Sequence, residues 1–218
     1  MEDIENGIIR MVDEETFKED ALRVLRAIQF SARFVYSIDE KTRQVAEQME
    51  LHHLAKERVY EEIRKGMTKG SPDYFISMLN TFRNVKSLLP SLPYMMNIRV
   101  QPGLSLPINV ALMGTTASNF VFEQVLVDFL QRKQDRSTAR ACHSFFLDIW
   151  MKGLSEKDMA ETIFDNKAFL SAHPKDADFI VKTFFTLDKS TVFYKIKEKR
   201  TNCHILIDGN WLIQRGLK

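Results

Sequence analysis

The residues with the most chemical promise lie close together in Phe17-Lys18-Glu19-Asp20-Ala21-Leu22-Arg23-Val24-Leu25-Arg26-Ala27-Ile28-Gln29-Phe30-Ser31-Ala32-Arg33-Phe34. Asp20 and Arg23 stand three apart, the spacing at which side chains on a helix become neighbours. A carboxylate beside a planar guanidinium offers an acceptor next to a donor. That combination matches the edge of a base carrying an exocyclic amino group next to a ring-nitrogen acceptor, as cytosine and adenine do and keto bases do not. The same spacing equally suits a solvated surface ion pair worth a few tenths of a kcal/mol. Spacing alone leaves both readings open.

A helix must position these groups. Ala21, Leu22, Leu25, Ile28 and Ala32 make an apolar face, and Asp20, Arg23, Arg26, Gln29 and Arg33 are placed on the opposite arc. Thr16 and Glu19 fit a capping box that starts this helix, which is expected to run to about Phe34. Further helices are expected from Asp39 to about Leu51, near 54–68 with Gly70 ending it, and from Ser71-Pro72 to about Phe82. Beyond these, helices are expected near 107–113, 118–133, 137–152, 155–164, 175–187 and 208–215. Ser118, Ser137 and Ser155 are the expected N-caps, and Gly153 and Gly216 the expected C-caps. Only Gly7–Met11 and Thr191–Ile196 suit short strands. Pro90, Pro93, Pro102, Gly103 and Pro107 make 89–107 the expected connection between two helical layers. The fold class is therefore all-α.

With 218 residues and 44% hydrophobic content, the chain can bury a sizeable core. No apolar run approaches the roughly 20 residues of a membrane span, and the N-terminus is acidic where a targeting peptide would be basic. A soluble, cytoplasmic protein is expected. Cys142 and Cys203 lack metal-ligand or disulfide-framework spacing. Residues 1–70 carry 12 Lys+Arg against 15 Asp+Glu, and 71–218 carry 19 against 14. Net charge therefore does not argue for a nucleic-acid partner, and local clusters must. Lys195, Lys197, Lys199 and Arg200 form one such cluster, suited to RNA phosphates or to a solvated surface. Asp176-Ala177-Asp178 reads as a first helical turn rather than a metal site. His52-His53 lacks a following Asp and fits a helix end. Phe145-Phe146 and Phe184-Phe185 suit core positions, whereas Phe30 and Phe34 lie beside the arginines.

Asn6-Gly7-Ile8-Ile9-Arg10, followed by the E-D-x-x-R element at Glu19-Asp20 to Arg23 with Arg26 after it, resembles the junction and neck of class II tRNA nucleotidyltransferases and bacterial poly(A) polymerases. Arg33-Phe34 through Ile38-Asp39 and Thr42 resembles the continuation. Leu54-Ala55-Lys56-Glu57-Arg58-Val59-Tyr60-Glu61-Glu62-Ile63 resembles the helix that braces the templating helix, and Ile205 to Lys218 resembles a tail segment. The likeness is strong over about 1–70, faint over 71–200 and moderate at the end.

The resemblance implies that Asp20 and Arg23 select CTP and ATP, with Arg26 supporting the nucleotide and Glu19, Gln29, Glu57 and Arg58 supporting the template helix. It implies tRNA 3′-end CCA addition on tRNA. Mg²⁺ and its carboxylates would come from an α/β head, whose G-G/G-S turn and D-x-D strand do not precede Asn6, so a separately encoded head is a possible partner. It implies a partition into a linker (1–16), a neck (17–88), a Pro-rich connection (89–107) and a helical body with a truncated tail (108–218). Poly(A) polymerase and a non-catalytic RNA-binding module remain alternatives. Gln29 stands where many relatives carry Arg, and Ala55 where they carry a capping Ser or Thr. Nothing is carried onto Asn210 or Trp211.

Overall fold

A computed structural model describes residues 2–95, 104–115, 117–151 and 155–201. Among them the chain is helical almost throughout: α1 Glu2–Glu5, α2 Glu14–Lys18, α3 Leu22–Phe34, α4 Glu40–Gln48, α5 Lys56–Lys69, α6 Pro72–Thr81, α7 Arg83–Leu88, α8 Leu106–Met113, α9 Asn119–Phe129, α10 Lys133–Met151, α11 Glu156–Asp165, α12 Lys167–Ala172, α13 Pro174–Phe184 and α14 Leu187–Thr201. Two short strands, β1 Ile8–Ile9 and β2 Ser37–Ile38, pair in parallel with Ile8 opposite Ser37. The all-α expectation holds. No described helix is long and apolar enough to cross a membrane.

The chain forms two compact units, Met1–Ser144 and Phe145–Lys218. This division differs from the one expected at the prolines. Contacts spanning the proline region explain why. The Asn109 side chain donates to the Met67 carbonyl at 2.8 Å, the Ser91 backbone N–H donates to the Asp128 carboxylate at 2.9 Å, and the Tyr60 hydroxyl reaches Asp135 at 3.3 Å. Residues 1–16 are likewise tied in rather than left as a free linker. Ser37 N–H donates to the Gly7 carbonyl and Asp39 N–H to the Ile9 carbonyl, both at 2.9 Å, while Arg10 pairs with Asp3 and Asp39.

The expected helix 17–34 is two helices. Asp13 caps α2 by accepting from the Thr16 N–H at 2.7 Å, so Thr16 is a helical residue and not the cap. Glu19 closes α2, its N–H donating to the Thr16 carbonyl. Asp20 then accepts from the Leu22 N–H at 3.1 Å and starts α3. Aspartate competes for backbone donors in this way, which favours helix starts over interiors.

In the first unit α3 lies against α5 and α6. Val24, Leu25, Ile28 and Ala32 from α3, Val59, Ile63 and Met67 from α5, and Phe75, Ile76 and Leu79 from α6 are buried together in its core. Each large aliphatic side chain so buried contributes about 1.5–3 kcal/mol. Two glycines permit the close approach of these helices. A Cβ on Gly66 would stand 2.4 Å from the Phe75 ring, and one on Gly70 would stand 2.9 Å from the Ala32 carbonyl oxygen. Gly70 is followed by a hydrogen bond from Ser71 N–H to that same carbonyl at 3.2 Å.

The second unit has an aromatic core. Phe145 lies 5.4 Å from Phe169 and 6.1 Å from Phe193, ring centre to ring centre. Phe145 and Phe146 are buried as expected, while Phe184 and Phe185 are only half-buried. Thr191–Ile196, suited to a strand by its β-branched residues, is part of α14, where Phe193 and Ile196 are buried one turn apart. Ser118 and Ser155 cap α9 and α11, but Ser137 lies inside α10. Gly153, Cys203, Gly216 and the tail resemblance at 205–218 lie outside the described residues.

Replacing Gly66 with Ala should lower stability by roughly 1–2 kcal/mol. Overpacking against Phe75 costs about 1–3 kcal/mol, and the better helix propensity of Ala recovers up to about 1. Chemical denaturation measures this, and an unchanged or higher midpoint would show that the Phe75 ring moves aside at no cost.

Candidate functional site

The site is built on the start of α3 and the facing side of α5. Arg58 Nη2 donates to Asp20 Oδ2 at 2.8 Å, and Arg26 Nε lies 3.7 Å from Glu62 Oε1. Lys65 Nζ reaches the same Glu62 oxygen at 2.9 Å. Glu62 is only 3% exposed and faces both of these cations. Two ion pairs thus cross from α3 to α5, one at the beginning of α3 and one a turn and a half later.

Asp20 pairs with Arg58 and not with Arg23. Both carboxylate oxygens are engaged, Oδ1 by the Leu22 N–H and Oδ2 by Arg58, yet each oxygen keeps acceptor capacity. Partial burial opposes ionisation of Asp20. The Leu22 hydrogen bond, the Arg58 guanidinium and the charge of Arg26 outweigh it and hold the carboxyl below the ordinary aspartate range. Arg23 Nη1 is buried without a hydrogen bond, and its nearest carboxylate, Glu19 Oε2, is 3.8 Å away. That distance is too long for a hydrogen bond. An unspent guanidinium donor therefore sits one turn from a fixed carboxylate.

Gln29 does not belong to the polar arc. It is 2% exposed, and its Nε2 has no hydrogen-bond partner among the described residues. At 3.6 residues per turn it falls roughly 20° from Leu22, so it faces the core. Glu19 is exposed at the end of α2. Glu57 is exposed in the first turn of α5 and lines a cavity of about 320 Å³ with Leu54, Lys56, Tyr60, Gln124 and Asp128. The backbone of Ala55 takes the N-cap conformation of α5, but its side chain supplies no hydrogen bond.

Glu62 and Lys65 carry no separate role in the sequence patterns, although Glu62 completes the E-R-x-x-x-E spacing with Glu57 and Arg58. Their importance shows only when α3 is laid against α5. Elsewhere, Lys195 is exposed on α14 and Lys197 places its ammonium 5.9 Å over the Phe193 ring. The side chains of Lys199 and Arg200 lie outside the described residues. Asp176 and Asp178 fall in the first turns of α13, where Asp178 bonds Lys182 and Tyr194. Exposed His52 lies 3.7 Å from Glu50 in the α4–α5 connection. No group of three or more His, Cys, Asp or Glu suited to a metal ion occurs among the described residues.

Residues 36–95 match the family described as "Probable RNA and SrmB-binding site of polymerase A". A multifunctional CCA protein of Laribacter hongkongensis is 38% identical over 93 residues, which is 41% of this chain and 23% of that protein. One from Stenotrophomonas maltophilia is 38% identical over 97 residues, 41% and 24% of the two chains. The chain is therefore similar, over about two fifths of its length, to a segment of multifunctional CCA proteins. Among solved structures, the Thermotoga maritima CCA-adding enzyme complexed with tRNA-CCA aligns with all of this chain and 57% of its own, with a TM-score of 0.64 and 19% identity. A CCA-adding enzyme in complex with ATP aligns with all of this chain and 56% of its own, with a TM-score of 0.65 and 19% identity. These likenesses show that the chain shares the helical fold of the aligned portions of those structures. The chain spans about a quarter of the curated relatives and a little over half of the solved ones.

Two outcomes test the site's construction. Ala55→Ser should stabilise the protein by about 1 kcal/mol by capping α5, read from the denaturation midpoint; no gain would mean that the α5 start is already satisfied. The second is acid dependence. The folded-state pKa of Asp20 lies below its unfolded value of about 3.9, so its ionic contribution is present above that value and is lost as pH falls through the folded-state pKa. Asp20→Asn keeps an oxygen for the Leu22 N–H but lacks the charge. Its stability should fall less steeply than wild type below about pH 4, and superimposable acid limbs would remove the Asp20–Arg58 pair from the structural argument.

Proposed function

We propose that the chain is the nucleotide-selecting and RNA-holding region of a tRNA 3′-end nucleotidyltransferase of the CCA-adding type. The observation that carries this reading is the buried Nη1 donor of Arg23, which has no hydrogen-bond partner among the described residues and lies one helical turn from an Asp20 carboxylate held by Arg58. Asp20 would accept a hydrogen of the exocyclic amino group of cytosine or adenine, and Arg23 would donate to the adjacent ring nitrogen. Uracil and guanine present a keto oxygen where Asp20 requires a donor, and two acceptors would then oppose each other. Arg26, held from behind by Glu62, would meet the nucleotide's base or phosphates. The cross-helix pairs matter because a template that wanders accepts the wrong base as readily as the right one.

Transfer of the nucleotide to a 3′-hydroxyl requires carboxylate-held Mg²⁺. In this proposal a family head region, joined or separately encoded, provides those carboxylates, and this chain provides selection and grip. Lys195, Lys197, Lys199 and Arg200 are proposed to meet tRNA phosphates, each neutralised phosphate adding a salt-dependent increment. The match over residues 36–95 to a polymerase A segment favours poly(A) addition as the second reading. The two differ in whether CTP is used before ATP on tRNA lacking its CCA end.

The test joins the chain to a family head and measures incorporation of CTP and ATP against UTP and GTP. Asp20→Ala and Arg23→Ala should each lose about 1–3 kcal/mol of discrimination, roughly 5- to 150-fold, with little change in tRNA affinity. Equal selectivity in wild type and both variants would remove Asp20 and Arg23 from the template. Incorporation of ATP alone would move the assignment to poly(A) addition.

A further inference from the structure

The exposed face of α3 does not end at Arg26. One turn later Phe30 is 40% exposed, and after another turn Phe34 is 49% exposed. Their planes lie within 12° of each other with centroids 6.2 Å apart. Arg33 places its guanidinium carbon 5.4 Å from the Phe34 ring centre. Among the described residues no carboxylate pairs with Arg33, so its charge remains available.

The chain then turns sharply to add a third ring. Val35 takes the left-handed conformation at φ 57°, uncommon for a β-branched residue. The Tyr36 N–H returns to the Ser31 carbonyl at 3.0 Å, and the Ser31 hydroxyl donates to the Tyr36 carbonyl. This turn sets Tyr36 5.7 Å from Phe34, and a Cβ on Gly7 would stand 3.4 Å from the Tyr36 ring. Two rings on α3, a third just beyond its end and a cation with no carboxylate partner among the described residues therefore follow the arginines of the site.

We propose that Phe30, Phe34 and Tyr36, with Arg33 beside them, form a stacking platform for the unpaired 3′-terminal bases of an RNA. Every base has a π-face, so rings bind unpaired bases with little regard to sequence, and an arginine adjacent to them serves the phosphate or adds cation–π contact. Helical rise places Phe30 about 6 Å beyond Arg26 and Phe34 about 12 Å beyond it. That length accommodates two or three successive nucleotides leading away from the selecting residues. The neighbouring residues 36–95 carry the match to an RNA-binding segment, so platform and segment are continuous. The proposal rests on the reading of this chain as an RNA 3′-end handler and adds the residues that receive the single-stranded end.

The test uses the 218-residue chain and two RNA probes, a tRNA acceptor hairpin with a single-stranded 3′ tail and the same hairpin with a blunt end. Wild type should bind the tailed hairpin more tightly, and 2-aminopurine placed in the tail should be quenched on binding. Phe30→Leu/Phe34→Leu keeps apolar bulk at two exposed positions but removes the faces. It should lose the tail preference by about tenfold or more and lose the quenching, with blunt-hairpin affinity and melting temperature unchanged. Phe34→Trp should retain or strengthen both signals. If the Leu pair keeps the wild-type tail preference, the platform is refuted while the RNA-handling reading stands. If wild type binds neither hairpin, both fall.

Discussion

The packing of α3 on α5 is the constraint from which the rest of this protein follows. Buried apolar residues supply the attraction, and Gly66 and Gly70 remove the two side chains that would hold neighbouring segments apart. Apolar burial is non-directional, however, and does not fix how one helix is rotated against the other. The Asp20–Arg58 and Arg26–Glu62–Lys65 contacts can fix it, because each ties a particular turn of α3 to a particular residue of α5. Their value lies less in stability than in registry. Partly exposed pairs of this kind contribute about 1 kcal/mol or less, and a buried carboxylate such as Glu62 is costly unless its cations stay in place.

That arrangement gives one helix two different faces with different obligations. The inward face of α3 is close-packed, where a change of one methylene is felt. The outward face carries Arg26, Phe30, Arg33 and Phe34, with Arg23 partly covered at its edge, and exposed phenylalanines are poor surface choices in a helix that serves only as scaffold. Exposed aromatics and arginines in alternation combine weak hydration of the guanidinium with apolar ring faces, the combination that nucleic-acid contact uses. The rigid inner face thus positions the outer one, and the clamp to α5 prevents the outer face from rotating away from whatever it meets.

The sequence made much of this legible, for identifiable reasons. The type of α3, its core residues and the chemistry of Asp20 and Arg23 follow from local spacing, which a sequence displays directly. What spacing cannot display is a partner 38 residues away: Asp20 stands at ion-pair spacing from Arg23, while Arg58 takes it. Gln29 was misplaced because its polarity suggested solvent, although its helical angle beside Leu22 put it in the core. Thr16 and Glu19 have the spacing of a capping box, yet Asp13 takes the Thr16 N–H and the Glu19 N–H goes to the Thr16 carbonyl. The chain's division into units was obscured by the prolines, because a sequence rich in turn formers marks a change of direction and says nothing about side chains such as Asn109 that bond across it.

Three departures from the local rules of helix construction lie on or beside the helices of the proposed site. Ala55 leaves α5 uncapped at its start, Val35 occupies a left-handed position that glycine would fill more comfortably, and Gln29 buries an amide nitrogen with no partner among the described residues. Each departure weakens the fold by an amount that ordinary selection for stability would correct. Val35 and Gln29 belong to α3 and its end, and Ala55 begins the helix that clamps it, while uncapped starts and unpartnered buried polar atoms also occur elsewhere, as at α6 and Asn109. Val35 has a direct geometric result, since its turn brings Tyr36 to Phe34. Ala55 lies three residues before Arg58, so the uncapped turn is the one that carries the partner of Asp20. Sites of function are where sequences tolerate such inconsistency. These three departures lie on the two helices that also carry the ion pairs and the Arg23 donor.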